Sequence, residues 1–193
     1  MAESIVDIFK NSNALLEGHF KLSSGKHSDI YYEKFTILKQ PRLSEKVCVG
    51  LARLFENMNV ELVVGPTTGG IIIAYEVAKY LGVNSIYAEA AGSGKGRIFK
   101  RGFSIEKGTR VLIVDDVITA GTSIFEVIDL VKKYNADIIG IGELLDRSNG
   151  KVKFDYPFKA LATVSANNWD PEECPLCKQG LPLTQPGSRR FKQ

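Results

Sequence analysis

The stretch Val111–Ser123, VLIVDDVITAGTS, determines both the fold class and the first functional hypothesis. Its apolar beginning predicts a buried strand, and two adjacent carboxylates, Asp115 and Asp116, form the end of that strand. Small and hydroxyl-bearing residues come next, and apolar residues at helical spacing begin at Ile124. The stretch therefore predicts a strand, a polar loop and a helix in direct succession, with the two acids at the end of the strand.

Strands and helices alternate on both sides of this stretch. The segments 61–65 (ELVVG), 84–89 (NSIYAE) and 137–145 (DIIGIGELL) predict further buried strands, and residues at helical spacing separate them. Near-continuous apolar strands are typical of a parallel sheet that is covered on both faces. The sequence therefore predicts an α/β fold with a mostly parallel sheet flanked by helices, whose ligands bind at the carboxyl ends of the strands.

Three further elements are predicted before this region. Residues 4–16 carry apolar side chains at helical spacing, which predicts a helix. Two β-prone runs flank Ser-Ser-Gly within residues 20–35, which predicts a hairpin. Another helix is predicted after Pro41.

Length and composition exclude several classes of protein. The 193 residues are 44% hydrophobic and 24% charged, which indicates one globular domain over residues 1–193. A net charge of +3 is too weak to indicate nucleic-acid binding, and no apolar run approaches the roughly 18 residues of a transmembrane helix. The start of the chain lacks a signal-peptide pattern, and three cysteines make no disulfide framework. We therefore expect a cytoplasmic protein with no nucleic-acid or membrane partner.

The loop after the two acids has the chemistry of a phosphate site. Between a strand and a helix, backbone N–H groups can point at one place, where the helix dipole adds positive potential. Asp115 and Asp116 would repel a phosphate, but they accept hydrogen bonds from sugar hydroxyls and attract hydrated Mg²⁺. A ribose 5-phosphate matches both halves, whereas a receiver-type acidic pocket or a plain capped turn are the alternatives. The small and hydroxyl-bearing loop residues are Thr119, Ala120, Gly121, Thr122 and Ser123.

VLIVDDVITAGTS closely resembles the phosphoribosyl-pyrophosphate (PRPP) signature of type I phosphoribosyltransferases. The resemblance implies their fold, with a small N-terminal hood formed mainly by residues 18–36 and the C-terminal tail. It implies that Asp115 and Asp116 hold the ribose 2′ and 3′ hydroxyls and that the loop binds the 5-phosphate. It also implies Mg²⁺ as cofactor, held mainly by PRPP and water rather than by direct protein ligands. The remaining implied PRPP contacts are Val117, Ile118, Thr67, Thr68, Gly69 and Gly70.

The segment PTTGG at 66–70 has a second interpretation. In the family the matching loop binds pyrophosphate, and backbone amides at the start of a helix suit such an anion. Without the resemblance, an ordinary glycine-rich turn between strand and helix is an equally good interpretation.

Three other stretches resemble the orotate phosphoribosyltransferases within this family: residues 20–32, 144–151 and the tail 170–189. The resemblance implies transfer of phosphoribosyl from PRPP to orotate in pyrimidine synthesis, giving orotidine 5′-monophosphate and pyrophosphate. It also implies a homodimer whose mobile loop is shared between subunits. Arginine binds a carboxylate such as that of orotate through two hydrogen bonds. The candidate orotate contacts are Arg147, Thr119, Lys26, Tyr31 and Tyr32.

Arg147 and the two tyrosines also have plainer interpretations. Arg147 is also a possible surface ion-pair partner of Asp146, although neighbouring residues on a strand point to opposite faces. At least one of Tyr31 and Tyr32 is expected to pack in the core rather than cover the base.

Residues 91–102, AGSGKGRIFKRG, form a basic, glycine-rich segment without an acid. Such a loop can close over a polyanion and exclude water, although a solvated charged loop is the alternative. Lys95 is our first candidate for the catalytic base of this loop, followed by Arg97 and Lys100.

Some positions depart from the commoner orotate pattern. Ser23 stands where many members carry lysine, with Lys26 as a possible substitute, and Thr68-Gly69 stands where many carry Tyr-Lys. The basic loop also lacks the usual histidine. These departures leave two other hypotheses open: a purine phosphoribosyltransferase, and a PRPP-sensing regulator without turnover.

Cys174 and Cys177 form a single CxxC pair. One such pair supplies only two of the four ligands of a structural zinc site, and His19 and His27 are distant in sequence. The sequence therefore favours a structural or incidental role for the pair, with zinc shared across a dimer or a redox role as alternatives.

Overall fold

The computed structural model describes residues 4–22, 24–92, 96–165 and 167–186. The chain divides into two compact units, residues 38–164 and the two chain ends 1–37 and 165–193. The helices are α1 (Ile5–Asn11), α2 (Lys34–Leu38), α3 (Pro41–Arg53), α4 (Gly69–Leu81), α5 (Thr122–Lys132) and α6 (Pro175–Lys178). The strands are β1 (Leu15–Lys21), β2 (His27–Tyr32), β3 (Leu62–Pro66), β4 (Asn84–Ala90), β5 (Arg97–Ile98), β6 (Arg110–Ile118), β7 (Asp137–Asp146), β8 (Phe158–Thr163) and β9 (Asn168–Trp169).

The larger unit, residues 38–164, contains a six-stranded sheet in the order β5-β4-β3-β6-β7-β8. Neighbouring strands are parallel throughout, except that β5 runs antiparallel to β4. All five residues of β3 are buried, as expected for a strand covered on both faces. The predicted mostly parallel sheet is therefore confirmed.

Helix α5 covers one face of this sheet because its apolar side chains recur at helical spacing. Its buried residues Ile124, Val127 and Val131 belong to the same core cluster as Val111 and Ile113 of β6. Residues two apart on a strand share a face, so the intervening Leu112 and Val114 face the other way, and they too are buried. Helix α4 packs against β3, β4 and β6. This arrangement fixes the start of each helix close to the end of the strand that precedes it.

Several elements differ in extent from the sequence predictions. The predicted helix over residues 4–16 ends at Asn11, because Asn13 adopts a left-handed conformation with φ of 55° and the chain then enters β1. Strands β5 and β8 were not predicted. Both are short or partly exposed, so their sequences lack the continuous apolar run that marks the central strands.

The smaller unit, residues 1–37 and 165–193, contains the three-stranded sheet β1-β2-β9. Strands β1 and β2 form the antiparallel hairpin expected from the sequence. Helix α1 begins with a capping box, in which the Ser4 hydroxyl accepts from the Asp7 amide and the Asp7 carboxylate accepts from the Ser4 amide. Phe9 and Tyr32 pack edge to face, with ring centroids 5.5 Å apart. The assignment of the whole chain to a single domain stays a prediction.

No helix among the residues that the structure describes is both long and apolar enough to cross a membrane.

Candidate active site

The two acids of the quoted stretch lie within β6, as predicted, but they are not its last residues. The strand continues to Ile118 because Val117 and Ile118 pair with Leu145 and Asp146 of β7. The sequence prediction that the strand ends at the acids is therefore corrected by this extra pairing. Both acids are buried, with Asp115 8% and Asp116 3% exposed.

Asp115 is connected to the loop that follows it. One carboxylate oxygen, Oδ2, accepts a hydrogen bond of 3.0 Å from the Ser123 hydroxyl. The other oxygen, Oδ1, accepts from the Asp116 amide at 2.9 Å. The hydrogen bond from Ser123 thus connects the first turn of α5 with β6.

The loop between β3 and α4 approaches the acids from the neighbouring strand. Strands β3 and β6 are adjacent and parallel, so their ends lie at the same edge of the sheet. Gly69 is the first residue of α4, and a Cβ at this position would overlap Oδ2 of Asp116. A Cβ at Gly70 would lie 3.2 Å from Oδ1 of Asp115. The structure therefore brings the two predicted PRPP segments close together, and in this chain a side chain at residue 69 would overlap the present position of the Asp116 carboxylate.

The loop between β3 and α4 also contains Thr67 and Thr68. The peptide bond between Thr67 and Thr68 is cis. Thr68 is the N-cap residue of α4.

The starts of α4 and α5 differ from the start of α1. Within the described residues, neither α4 nor α5 has a side-chain hydrogen bond at its N-cap or an acidic residue in its first turn. Helix α1 has both, through Ser4 and Asp7. The first amides of a helix lack partners within the helix, and together with the helix dipole they favour an anion. The two helices that begin beside the acids are thus better suited to a bound phosphate than α1 is.

The loop from Thr119 to Ser123 is open to solvent at its first two residues. Thr119 and Ala120 are exposed, as is Thr122. Gly121 has φ of 75°, a left-handed conformation that side-chain-bearing residues rarely adopt. The turn that presents this loop therefore depends on a glycine.

The basic segment is partly fixed by the sheet. Arg97 lies in β5, donates from Nη1 to the Thr67 hydroxyl at 2.9 Å, and forms an ion pair with Glu126 at 3.2 Å. Lys100 forms an exposed ion pair with Glu89 at 3.3 Å. Arg97 thus connects the loop after β3 with α5, while Lys95 lies outside the described residues. The catalytic roles suggested for these three side chains stay predictions.

The candidate orotate contacts lie in different parts of the chain. Arg147 follows β7, is buried, and donates its backbone amide to the Ile118 carbonyl at 2.8 Å. In the smaller unit, Lys26 forms an exposed ion pair with Asp170 at 3.2 Å, and Tyr31 lies 5.8 Å from Phe20 between ring centroids. Tyr32 is the tyrosine that packs in the core of that unit. Ser23 lies outside the described residues.

The structure shows a second cluster of possible ligand side chains, which the sequence did not predict. His19, His27, Cys174 and Cys177 come together within the smaller unit. Burial is the main effect that lowers the pKa of His27, followed by the nearby His19. The CxxC pair was the visible signal, but the pairing of β1 with β2 and the packing of the C-terminal segment are needed to bring the two histidines to it.

The chain is similar to known proteins over most of its length. A family model described as phosphoribosyl transferase domain matches residues 36–177. The orotate phosphoribosyltransferase of Desulforamulus reducens is 48% identical over 189 residues, which cover 98% of each chain. That of Thermotoga maritima is 45% identical over 188 residues, covering 97% of this chain and 100% of its own. The crystal structure of orotate phosphoribosyltransferase from Aeropyrum pernix matches with a TM-score of 0.70 at 25% identity, covering 83% of this chain and 93% of that chain.

The chain belongs to the phosphoribosyltransferase family, and its full-length relatives place it among the orotate phosphoribosyltransferases. The resemblance found in the quoted stretch is therefore confirmed, together with the fold class that it implied.

Proposed function

We propose that this chain transfers the 5-phosphoribosyl group from PRPP to orotate, with the residue roles given below. The observation that supports the proposal most strongly is the close approach of Gly69, the first residue of α4, to the carboxylate of Asp116. Two helix starts suited to anions thus flank one pair of acids, which matches a sugar that carries phosphate groups at both ends.

In this proposal Asp115 and Asp116 orient the ribose. Each ionised carboxylate accepts hydrogen bonds from sugar hydroxyls. The bond of Asp115 to the Ser123 hydroxyl holds one of these carboxylates in place before substrate arrives. The 5-phosphate lies on the amides from Thr119 to Ser123 and on the hydroxyls of Thr119 and Thr122, and the pyrophosphate lies at the loop Thr67–Gly70.

The reaction needs no nucleophile from the chain. The bond between C1 of the ribose and pyrophosphate breaks, and positive charge builds on the sugar ring. A bond to a ring nitrogen of orotate then forms, and the proton of that nitrogen passes to the candidate loop base or to water. The two carboxylates help by position and by charge beside that ring. Arg97 holds the pyrophosphate loop through Thr67, and Arg147 is the proposed partner of the orotate carboxylate.

The acids also fit the expected Mg²⁺ ion. Carboxylate oxygens are ligands that Mg²⁺ prefers, and it commonly keeps several waters and substrate phosphates as its other ligands. Asp115 and Asp116 would contact it chiefly through water, with PRPP as the main ligand. When bound, Mg²⁺ supplies positive charge that balances the departing pyrophosphate.

We further propose that the protein is a cytoplasmic homodimer in which the loop of residues 91–102 reaches the site of the partner subunit. The support for this assembly is the family resemblance.

The proposed reaction is tested by following orotate absorbance with PRPP and Mg²⁺, with hypoxanthine and adenine run in parallel. We expect PRPP-dependent loss of the orotate signal and no turnover of either purine. Turnover of a purine without turnover of orotate would instead select the purine hypothesis. Binding of PRPP without turnover of any base would select the regulator hypothesis, so both of these results contradict the proposal.

A further inference from the structure

Two histidines and two cysteines meet within the smaller unit, and phosphoribosyl transfer as proposed above uses none of them. His19 lies in β1 and His27 begins β2, while Cys174 and Cys177 come from the C-terminal segment around α6. One ligand atom from each side chain lies within 4.8 Å of all the others. The four residues therefore join both chain ends that form this unit.

The separations of these atoms match a tetrahedral zinc site. With the usual Zn–N and Zn–S bond lengths, tetrahedral ligands lie about 3.3 Å apart for two nitrogens and about 3.6 Å apart for nitrogen and sulfur. Nε2 of His19 lies 3.0 Å from Nδ1 of His27. The Sγ atoms of Cys174 and Cys177 lie 3.5 Å and 3.7 Å from Nε2 of His19. Sγ of Cys177 lies 3.3 Å from Nδ1 of His27.

The tautomer of His19 suits this role. Its other ring nitrogen, Nδ1, lies 2.9 Å from the Leu181 carbonyl oxygen, which can only accept a hydrogen bond. Nδ1 therefore carries the proton, and in the neutral ring Nε2 presents its lone pair to the two sulfurs and to His27. Zinc-binding histidines usually have such an outer hydrogen bond, which fixes the ring and its tautomer.

The burial of the cluster favours a shared metal over direct hydrogen bonds alone. Cys174 is fully buried, and His19 and His27 are each 4% exposed. Polar groups removed from water need partners. The lone pair on Nε2 of His19 can accept only one hydrogen bond, although His27 and both cysteines lie close to it. A disulfide between the cysteines would leave both imidazoles facing each other without explaining their position. A cation at the centre satisfies all four ligand atoms together.

The ligand set also selects the metal. Two thiolates and two imidazoles in a tetrahedron are typical of structural zinc. In a two-iron cluster with the same ligands, the histidines and cysteines bind different irons. The short sulfur–nitrogen distances in the cluster instead place both ligand types around one ion.

We propose that His19, His27, Cys174 and Cys177 of one chain bind a single structural Zn²⁺ ion. The smaller unit is built from two short chain ends, and units of this size often need a metal or a disulfide for stability. The ion would tie the β1–β2 hairpin to the C-terminal segment, beside the existing backbone hydrogen bond from Thr184 to His19. The sequence alternative of zinc shared across a dimer is then unnecessary.

Metal content of the full chain, purified without chelators, tests this proposal. We expect about one zinc ion per chain, its loss in Cys177→Ser, and its retention in the matched control Cys48→Ala. Cys177 is exposed, whereas Cys48 is a buried thiol that lies outside the cluster. Half an ion per chain would contradict an intramolecular site. Absence of zinc, or a Cys174–Cys177 disulfide in its place, would overturn the proposal.

Replacement of the metal by Co²⁺ gives an independent readout that does not require any variant to fold. Two thiolates and two imidazoles around tetrahedral Co²⁺ should give strong visible bands and sulfur-to-cobalt charge-transfer absorption. We expect one equivalent of Co²⁺ per chain to saturate both signals in the wild-type protein. Weak bands of a six-coordinate ion without charge-transfer absorption would contradict the ligand set.

Discussion

The candidate phosphoribosyl site and the histidine–cysteine cluster draw on the sequence in opposite ways. The main part of the first is one continuous segment, Asp115–Ser123, on a strand, a loop and the start of a helix. The second combines residues from both ends of the chain. A local segment fixes its own geometry through backbone conformation, so its chemistry is visible in the sequence. A dispersed cluster depends on strand pairing and tail packing, so its chemistry becomes visible only in the fold.

The continuous site also depends on a residue that is distant in sequence. Gly69 is far from Asp116 in sequence, yet a side chain at this position would occupy the space of the Asp116 carboxylate. Local sequence thus supplies the acids, while the neighbouring strand and its loop determine where one of them can point.

Two variants test this comparison, Gly69→Ala and Cys48→Ala, and we expect the larger effect from Gly69→Ala. In Gly69→Ala the new methyl group would overlap Oδ2 of Asp116, so the carboxylate has to move by about 1 Å. A misplacement of about 1 Å can cost about 100-fold in rate, and we expect kcat/KM for PRPP to fall by about that factor. Steady-state kinetics with varied PRPP measures the change.

Gly50→Ala is the matched control for this variant. Gly50 lies within α3, and a Cβ there would make only ordinary contact with Leu161, 3.4 Å away. Alanine is also the better helix former, so the control should keep wild-type turnover. Equal turnover in Gly69→Ala and Gly50→Ala would contradict the proposed position of Asp116.

Cys48 is a buried cysteine that belongs to neither the candidate active site nor the histidine–cysteine cluster. Burial raises the pKa of its thiol from an ordinary 9.0 to about 12. Between these pH values the unfolded chain loses this proton while the folded chain keeps it, so the free energy of unfolding falls as pH rises. The expected slope is about 1 kcal/mol per pH unit, and the stability is fully present below pH 9.0.

Urea denaturation across the accessible alkaline range measures this slope. The slope should be smaller in Cys48→Ala than in the wild-type protein, since other groups titrate in both. Identical slopes in the two proteins would show that the buried thiol does not resist ionisation.

Sequence patterns predicted the central fold well, for a physical reason. Strands β3, β6 and β7 are buried on both faces, so their apolar runs are continuous, and α5 shows its apolar side at helical spacing. Strand β8 escaped prediction because it is partly exposed, and the extension of β6 to Ile118 depends on pairing with β7.

The sites show the same division between local and distant information. The candidate PRPP residues could be named because strand, loop and helix start are consecutive. The contact of Arg97 with Thr67 and Glu126 could not be foreseen, since the segment was interpreted as a mobile basic loop. The histidines could not be joined to the CxxC pair, because nothing in the sequence states that β1 and the tail lie together.

The most direct test of the proposed phosphoribosyl site is orotate consumption by the double variant Asp115→Asn with Asp116→Asn. These amides keep the shape of the side chains but remove their negative charge and one acceptor each. We expect the variant to fold and to retain any bound zinc, with turnover reduced by at least about 100-fold. Turnover equal to that of the wild-type protein would contradict the role of these acids in the reaction.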